Sequence, residues 1–408
     1  MKVKKPELAA PAGDWGSLYS AVEAGADSVY FGVKGLNMRN LAVNFDILEL
    51  KKLMAVLHKS KKKGYLALNV IAFSKELTKI RKILKEAKKA KVDAVILWDM
   101  GVFALAKELG LRVHLSTQAS ASNYLALKNY SQQGVRRAVL ARECGISDIK
   151  EIVLKLRKEK INCEVEAFIH GAMCVSISGR CFLSQYSFSK SANRGECLQP
   201  CRREFLITDI QDGHQYEVGR DYVLSPKDLC TIDFIDKLIE AGVSAFKIEG
   251  RIRSSEYAKV VTSVYRRAID AYFNGKLTKP LKKKLKNELS GVYNRGFSSG
   301  FYLGAPKEPP SRELEHTHEK IYSGQITRFF KKIGVAEVKV SNEPIKKGDE
   351  ILCVGKNTPA SFAIVDNIQM NHKFVNEVKK GEAAGIKLPF IVKPKDKVFI
   401  RRKKADKA

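Results

Sequence analysis

Carboxylates are scarce in this chain: 44 Asp and Glu stand against 73 Lys and Arg in 408 residues, a formal net charge of +29. So large a deficit of negative charge favours a polyanionic partner, because each neutralised phosphate releases counterions. A lysine-rich, merely solvated surface accounts for the same excess. No run of eighteen apolar residues occurs, so no spanning helix is expected. The first residues, Met1-Lys-Val-Lys-Lys-Pro-Glu7, lack the apolar core of a secretory signal, and the expected compartment is the cytoplasm. Twelve Pro and 28 Gly are too few for a collagen-like chain, and 45% hydrophobic residues are too many for a disordered one. There is no Cys-x₂-Cys pair for a zinc ribbon and no His-Glu-x-x-His for a zinc protease.

Helix ends feed directly into buried strands at several points. Glu23-Ala-Gly-Ala-Asp-Ser-Val-Tyr-Phe, Ala90-Lys-Val-Asp-Ala-Val-Ile-Leu, Gln133-Gly-Val-Arg-Arg-Ala-Val-Leu and Glu240-Ala-Gly-Val-Ser-Ala-Phe-Lys-Ile share this form. Such junctions imply parallel strands with crossover helices. Strands are expected at 7–10, 28–33, 65–71, 94–98, 112–115, 138–141, 163–169 and 245–249. Eight of them over this length fit a closed (β/α)₈ TIM-like barrel better than a doubly wound open sheet. The barrel is expected over 1–274, with a cysteine-bearing insertion at about 170–230 that includes a hairpin around Gln211-Asp-Gly-His. That insertion leaves the C-terminal end of a strand, where barrel enzymes keep their chemistry.

Residues 275–320 read as a basic helix and linker. Lys276, Lys279, Lys282, Lys283, Lys284 and Lys286 interleave with Leu277, Leu281 and Leu285, so the lysines are expected on an outward helix face. From 321 to 408, period-two runs punctuated by Lys-Gly turns suggest a small antiparallel β-barrel of about six strands.

Of the eight cysteines, Cys174, Cys181, Cys197, Cys201 and Cys230 crowd one segment, while Cys144, Cys163 and Cys353 lie apart. In a reducing compartment they are not read as disulfides. Cys197-Leu-Gln-Pro-Cys201 begins like a radical-SAM loop, but Glu204 stands where the third cysteine belongs. Widely spaced thiolates suit an iron–sulfur cluster; equally, some are ordinary buried core residues.

Longer signatures add to this. The stretch Glu166-Ala-Phe-Ile-His-Gly-Ala-Met-Cys174-Val-Ser-Ile-Ser-Gly-Arg-Cys181-Phe-Leu-Ser184 resembles the signature of peptidase family U32, the collagenase-like proteases. Asn193-Arg-Gly-Glu-Cys197-Leu-Gln-Pro-Cys201-Arg-Arg, Ser225-Pro-Lys-Asp-Leu-Cys230 and Phe246-Lys-Ile-Glu-Gly-Arg251 continue the likeness. So do Leu8-Ala-Ala-Pro-Ala-Gly13, Asn37-Met-Arg39 and Ser116-Thr-Gln118 with Asn123. The family carries a protease label of unknown catalytic type. Some members instead support oxygen-independent hydroxylation, of tRNA wobble uridine with prephenate, of ribosomal RNA, or of a ubiquinone precursor. The likeness to the tRNA members implies conversion of wobble uridine to 5-hydroxyuridine, with tRNA or other RNA as partner and prephenate as co-substrate. Likeness to the ubiquinone pair implies a 4Fe-4S cluster on Cys174, Cys181, Cys197 and Cys230, with Cys201 outside the ligand set.

Polar residues at barrel strand ends complete the candidate site. Arg39, Gln118, Asn123 and Arg251 are expected to bind substrate, Arg39 by gripping a carboxylate of prephenate. Lys247, Glu249 and Arg251 alternate on the last strand and share a face, as a catalytic group or as a salt-linked cluster stabilising the barrel. His170, at a strand end, is a structural histidine or a proton-transfer group. The alternatives to an RNA hydroxylase are a U32 peptidase and a non-enzymatic RNA-binding or assembly module with a structural cluster.

Overall fold

In the computed structural model, residues 3–218, 224–305 and 315–404 are described. Strands β1 (Glu7–Ala12), β2 (Ser28–Gly32), β3 (Lys63–Ala67), β4 (Ala94–Leu97), β5 (Val113–Leu115), β6 (Arg137–Val139) and β7 (Glu164–Gly171) pair in parallel in chain order. Between β7 and the closing strand come a hairpin, β8 (Phe205–Thr208) with β9 (Gln215–Val218), and the short β10 (Asp228–Cys230). β11 (Ala245–Ile248) then pairs in parallel with both β1 and β7 and closes an eight-stranded barrel, as expected. β12 (Phe297–Ser298) pairs with β10.

The helices α1 (Trp15–Glu23), α2 (Leu50–Lys59), α3 (Leu77–Lys89), α4 (Met100–Glu108), α5 (Tyr124–Gln133) and α6 (Ile146–Lys158) are the crossovers. Their sequence period explains their docking. α2 buries Leu50, Leu53, Met54 and Leu57; α3 buries Ile80, Ile83, Leu84 and Ala87; α6 buries Ile149, Ile152, Val153 and Leu156. All three use the i, i+3, i+4, i+7 stripe that covers one face of a helix. Four further helices follow: α7 (Leu183–Phe188), α8 (Ile235–Glu240), α9 (Ser255–Phe273) and α10 (Lys279–Ser290).

α10 falls where the basic helix was expected, and its apolar side is buried: Leu285 and Leu289 join the barrel's own core, as do Val292 and Tyr302. The barrel body therefore runs on past residue 274 to about Tyr302. Two of the lysines expected to face outward are tied down, Lys282 to Asp236 at 2.8 Å and Lys286 to Asp233 at 2.6 Å.

The C-terminal part is antiparallel, with more strands than expected: β13 (His318–Phe330), β14 (Val335–Val340), β15 (Ile345–Lys346), β16 (Glu350–Gly355), β17 (Thr358–Ile364), β18 (Ile368–Met370), β19 (Lys373–Val375), β20 (Glu377–Val378), β21 (Ala383–Lys387) and β22 (Lys397–Lys403). Two-residue strands such as β15 and β20 are too short to show a period. Eight strands form one sheet in the order β17-β16-β22-β13-β14-β21-β18-β19 around a separate core that includes Ile326, Val338, Ile351, Ile386 and Ile400. This unit sits on α1 and α9. Ala360 N–H donates to Ser20 Oγ at 2.9 Å, and Arg401 bridges Glu350 and Glu256.

Candidate active site at the C-terminal end of the barrel

A cavity of about 400 Å³ opens at the C-terminal end of the parallel strands. Its wall is shared between strand ends and the segment after β7. Gly32 makes the fit possible on one side: a Cβ there would stand 2.6 Å from Arg251 Nη1 and 2.8 Å from Asn37. Gly195 does so on the other, in the left-handed region at φ +83°, where a Cβ would lie 2.0 Å from the Asn37 carbonyl oxygen. Gly195 thereby seats the cysteine segment against the loop after β2, through a hydrogen bond from Asn40 N–H at 3.0 Å.

The cavity is electropositive. Arg39, Arg142, Arg202, Arg251, Arg253, Arg295 and Lys247 line it, against the lone carboxylate of Glu249. Burial opposes ionisation of Glu249, but Arg39, Arg142 and Arg251 outweigh it and hold the carboxyl below the ordinary range. Arg39 donates to Glu249 Oε1 through Nε at 3.1 Å and Nη2 at 2.9 Å, and through Nη1 to the Met38 carbonyl. All three of its nitrogens are thus engaged. Arg39, expected to grip a substrate carboxylate, reaches the cavity already paired with Glu249, with one N–H left on each terminal nitrogen.

Arg251 is differently placed. Its Nη1 donates to Asn37 Oδ1 at 2.9 Å, and burial lowers its pKa to about 10. Lys247 Nζ lies 2.7 Å from Glu166 Oε1 and 4.1 Å from the Tyr30 ring centre. Glu166 in turn is 3.6 Å from Arg137, which bonds Glu7 at 2.8 and 3.1 Å lower in the barrel. Lys247 is therefore the upper end of a charged column through the barrel axis. The three residues Lys247, Glu249 and Arg251 do share the cavity wall, and each also holds an internal partner.

Gln118 lines the cavity, bonded to Asn69 and Ser116. Asn123 does not. It is exposed and caps α5 by accepting from Ala126 N–H at 2.9 Å, the ordinary work of an Asn before a helix. His170 is not at the surface of the cavity either. It is 2% exposed, 3.3 Å from Tyr265 Oη, and ringed by Tyr257 and Phe297. Burial, with the Arg253 charge, brings its pKa down to about 3. A neutral imidazole sealed among rings is a structural histidine, and the proton-transfer role is withdrawn.

The thiols divide. Cys174, Cys181, Cys197 and Cys201 all line the cavity; Cys230 does not. β10 turns back antiparallel along the end of β7, setting Cys230 opposite His170. There its sulfur lies 3.8 Å from Tyr265 Oη, and burial raises the thiol to about 11. Of the expected set, Cys174, Cys181 and Cys197 line the cavity and Cys230 does not; Cys201, left outside that set, lines it as well.

Among the described residues, no three His, Cys, Asp or Glu are grouped to hold a single metal ion. A four-iron cluster spreads its ligands around a cube, and four soft sulfurs on one wall suit it. Two of them also accept backbone N–H groups, Cys181 from Leu183 and Cys197 from Gln199, both at 3.4 Å. At Cys197 burial outweighs that bond and pushes the thiol up.

Several lining residues went unnoticed in the sequence. Arg142 follows β6 closely, and the strand-end rule could have found it; its guanidinium lies 4.1 Å from the Phe168 ring centre. Arg202 and Arg295 carry no such signal. Arg202 is held by the Met173 and Pro226 carbonyls, and burial followed by the Arg295 charge lowers its pKa. Gly296-Phe297-Ser298-Ser299-Gly300 has the spacing of a hydrolase nucleophile elbow, but Ser298 sits on the two-residue β12 and leads into a turn, not a helix.

The chain is similar to several known proteins. The model of peptidase family U32 matches residues 13–311. The chain is 43% identical over 402 residues to an uncharacterized protease of Methanocaldococcus jannaschii, covering 97% of this chain and 98% of that one. It is 37% identical over 414 residues to a collagenase of Porphyromonas gingivalis, covering 98% of each. It is 35% identical over 356 residues to tRNA hydroxylation protein P1 of Bacillus subtilis, covering 85% and 83% respectively.

Proposed function

The chain belongs to peptidase family U32, and on that premise we propose that it is a tRNA-modifying factor. It hydroxylates wobble uridine to 5-hydroxyuridine without molecular oxygen, with prephenate as co-substrate and a 4Fe-4S cluster as cofactor. One observation carries the reading: a cavity at the catalytic end of a barrel joins four thiols to seven cationic side chains and one carboxylate. The thiols of Cys174, Cys181, Cys197 and Cys201 would hold the cluster, which supplies one-electron chemistry when bound.

The cations suit an anionic co-substrate beside a phosphate-bearing chain. Arg251 takes the carboxylate of the co-substrate, since only its Nη1 is engaged among the described residues. Gln118 and Asn69, buried and amide-bearing at the floor, suit the polar edge of a pyrimidine. Lys247, paired with Glu166, is held in place on the same wall.

The collagenase names among the relatives make proteolysis the alternative. Ser298 is no elbow and His170 is sealed, so neither supplies half of a nucleophile–base pair.

Mass spectrometry of tRNA nucleosides from a deletion strain is the test. Loss of 5-hydroxyuridine and its derivatives, restored by the wild-type gene and not by Cys197→Ala, is expected. An unchanged profile overturns the reading. Bound tRNA with an unchanged profile would leave the non-enzymatic RNA-binding role.

A further inference from the structure

Two aromatic side chains next in sequence to cavity-lining residues are largely exposed. Phe182 is 63% exposed and Tyr186 85% exposed. They are four residues apart, before and within α7, with ring centres 6.1 Å apart. The same helix supplies Leu183 and Ser184 to the cavity wall. Two large rings are therefore held in water on the segment that also supplies Cys181, Leu183 and Ser184 to the cavity.

Elsewhere on the described residues, guanidinium groups lie over other rings. Arg203 is 4.5 Å from the Phe188 ring centre and Arg180 5.8 Å from that of Trp98, while Arg194, 5.0 Å from that of Phe73, is already paired with Glu76. Phe73 follows β3 and Trp98 follows β4, so these pairs lie on the same end of the barrel as the cavity. Exposed rings interleaved with cations, around a cation-lined hole, match unpaired RNA. Bases stack on the rings while phosphates meet the guanidiniums. A polyproline-type peptide also packs on rings, but it offers no negative charge to these cations.

We propose that Phe182 and Tyr186 form a stacking platform for unpaired bases of an RNA strand, one of whose nucleotides enters the cavity. The proposal rests on the RNA-modifying reading for its ligand class. It adds that the substrate is recognised as a splayed single strand, by base faces at the rim, before any chemistry.

Binding of labelled single-stranded oligouridine, of an RNA duplex of equal length and of gelatin to the full-length protein tests it. Base–ring stacking is worth about 1–3 kcal/mol per base, so Tyr186→Ala and Phe182→Ala should each weaken oligouridine binding roughly 5- to 150-fold. Tyr186→Trp and Tyr186→Phe should retain it. The salt slope should not change, because every phosphate keeps its cation, and duplex binding should not change either. Both side chains are exposed, and unchanged thermal unfolding of the alanine variants will exclude misfolding.

Oligouridine affinity that ignores both substitutions, or no oligouridine binding at all, overturns the platform. So does a loss confined to gelatin binding, or an equal loss on duplex. The nucleoside profile of the deletion strain tests the underlying reading separately. Missing 5-hydroxyuridine with Tyr186-independent binding sinks the platform alone; an intact profile with Tyr186-dependent binding sinks the modification reading alone.

Discussion

Arg39 and Glu249, 210 residues apart in the chain, meet at the cavity through two hydrogen bonds to a single carboxylate oxygen. The pair joins the loop after β2 to the end of the strand that closes the barrel. Glu249→Gln leaves Arg39 and Arg142 without their counter-charge. A loss of roughly 2 kcal/mol is expected, below the ~3–5 kcal/mol of a fully buried pair, because the Arg39 side chain is 29% exposed.

The pH dependence of that loss has a definite sign. The folded pKa of Glu249 is depressed, burial opposing and the three arginines prevailing. Its contribution is therefore fully present above the unfolded value of about 4.3 and is lost as pH falls through the lower folded value. Urea unfolding of wild type and Glu249→Gln should differ most above about pH 5 and converge towards acid. A gap that widens on acidification would refute the assignment.

The thiol assignment separates two sets of variants. Protein purified without oxygen should contain iron and acid-labile sulfide in similar amounts. Cys174→Ala, Cys181→Ala, Cys197→Ala and Cys201→Ala should each lose both. Cys230→Ala and Cys353→Ala should keep both, since Cys230 is packed against Tyr265 and Cys353 is in the core of the C-terminal sheet. Stoichiometric zinc without sulfide would count against the cluster, and loss of iron from Cys230→Ala would reinstate that residue.

The charged column below Lys247 is expected to be structural. Arg137 is 4% exposed and bonds Glu7 and Glu164, with Glu166 at 3.6 Å. Arg137→Met strands buried carboxylates and should cost on the order of 3–5 kcal/mol in urea unfolding. Replacement without loss would show that the carboxylates reorganise to water.

On α10 only part of the lysine face is available to RNA. Lys282 and Lys286 hold Asp236 and Asp233 and anchor the helix. Neutralising Lys276, Lys279, Lys283 and Lys284 should lower the salt slope of tRNA binding by about one for each phosphate left without its lysine, with stability unchanged. An unchanged slope in filter binding would make the face ordinary solvated surface.

Much of the fold was legible in the chain because local chemistry repeats. Apolar stripes at helical spacing, ending in short buried strands, encode crossover units wherever they occur, and β11 was recognisable from Ala245-Phe-Lys-Ile alone. The C-terminal strands were undercounted because pieces such as Ile345–Lys346 hold too few residues to alternate. Arg39, Gln118, Lys247, Glu249 and Arg251 were findable because strand ends of a barrel converge. Arg295 was not, since its route to the cavity runs through β12 pairing with β10, a pairing no local pattern announces.

The sequence by itself determined the alternation of parallel strands with crossover helices, the excess positive charge and the crowding of cysteines after β7. These follow from composition and period, which act within a few residues. Closure into a barrel came from β11 pairing with both β1 and β7. The partners were decided only by the tertiary structure. Antiparallel return of β10 along β7 turned Cys230 inward to Tyr265, and the seat that Gly195 makes against Asn37 set the remaining thiols around one opening. His170 proved to be the structural histidine of its two readings, and Arg39 was paired with Glu249, for the same reason. Burial, and the groups that burial brings within reach, depend on chain segments far apart in sequence, and there the physics of a site is settled.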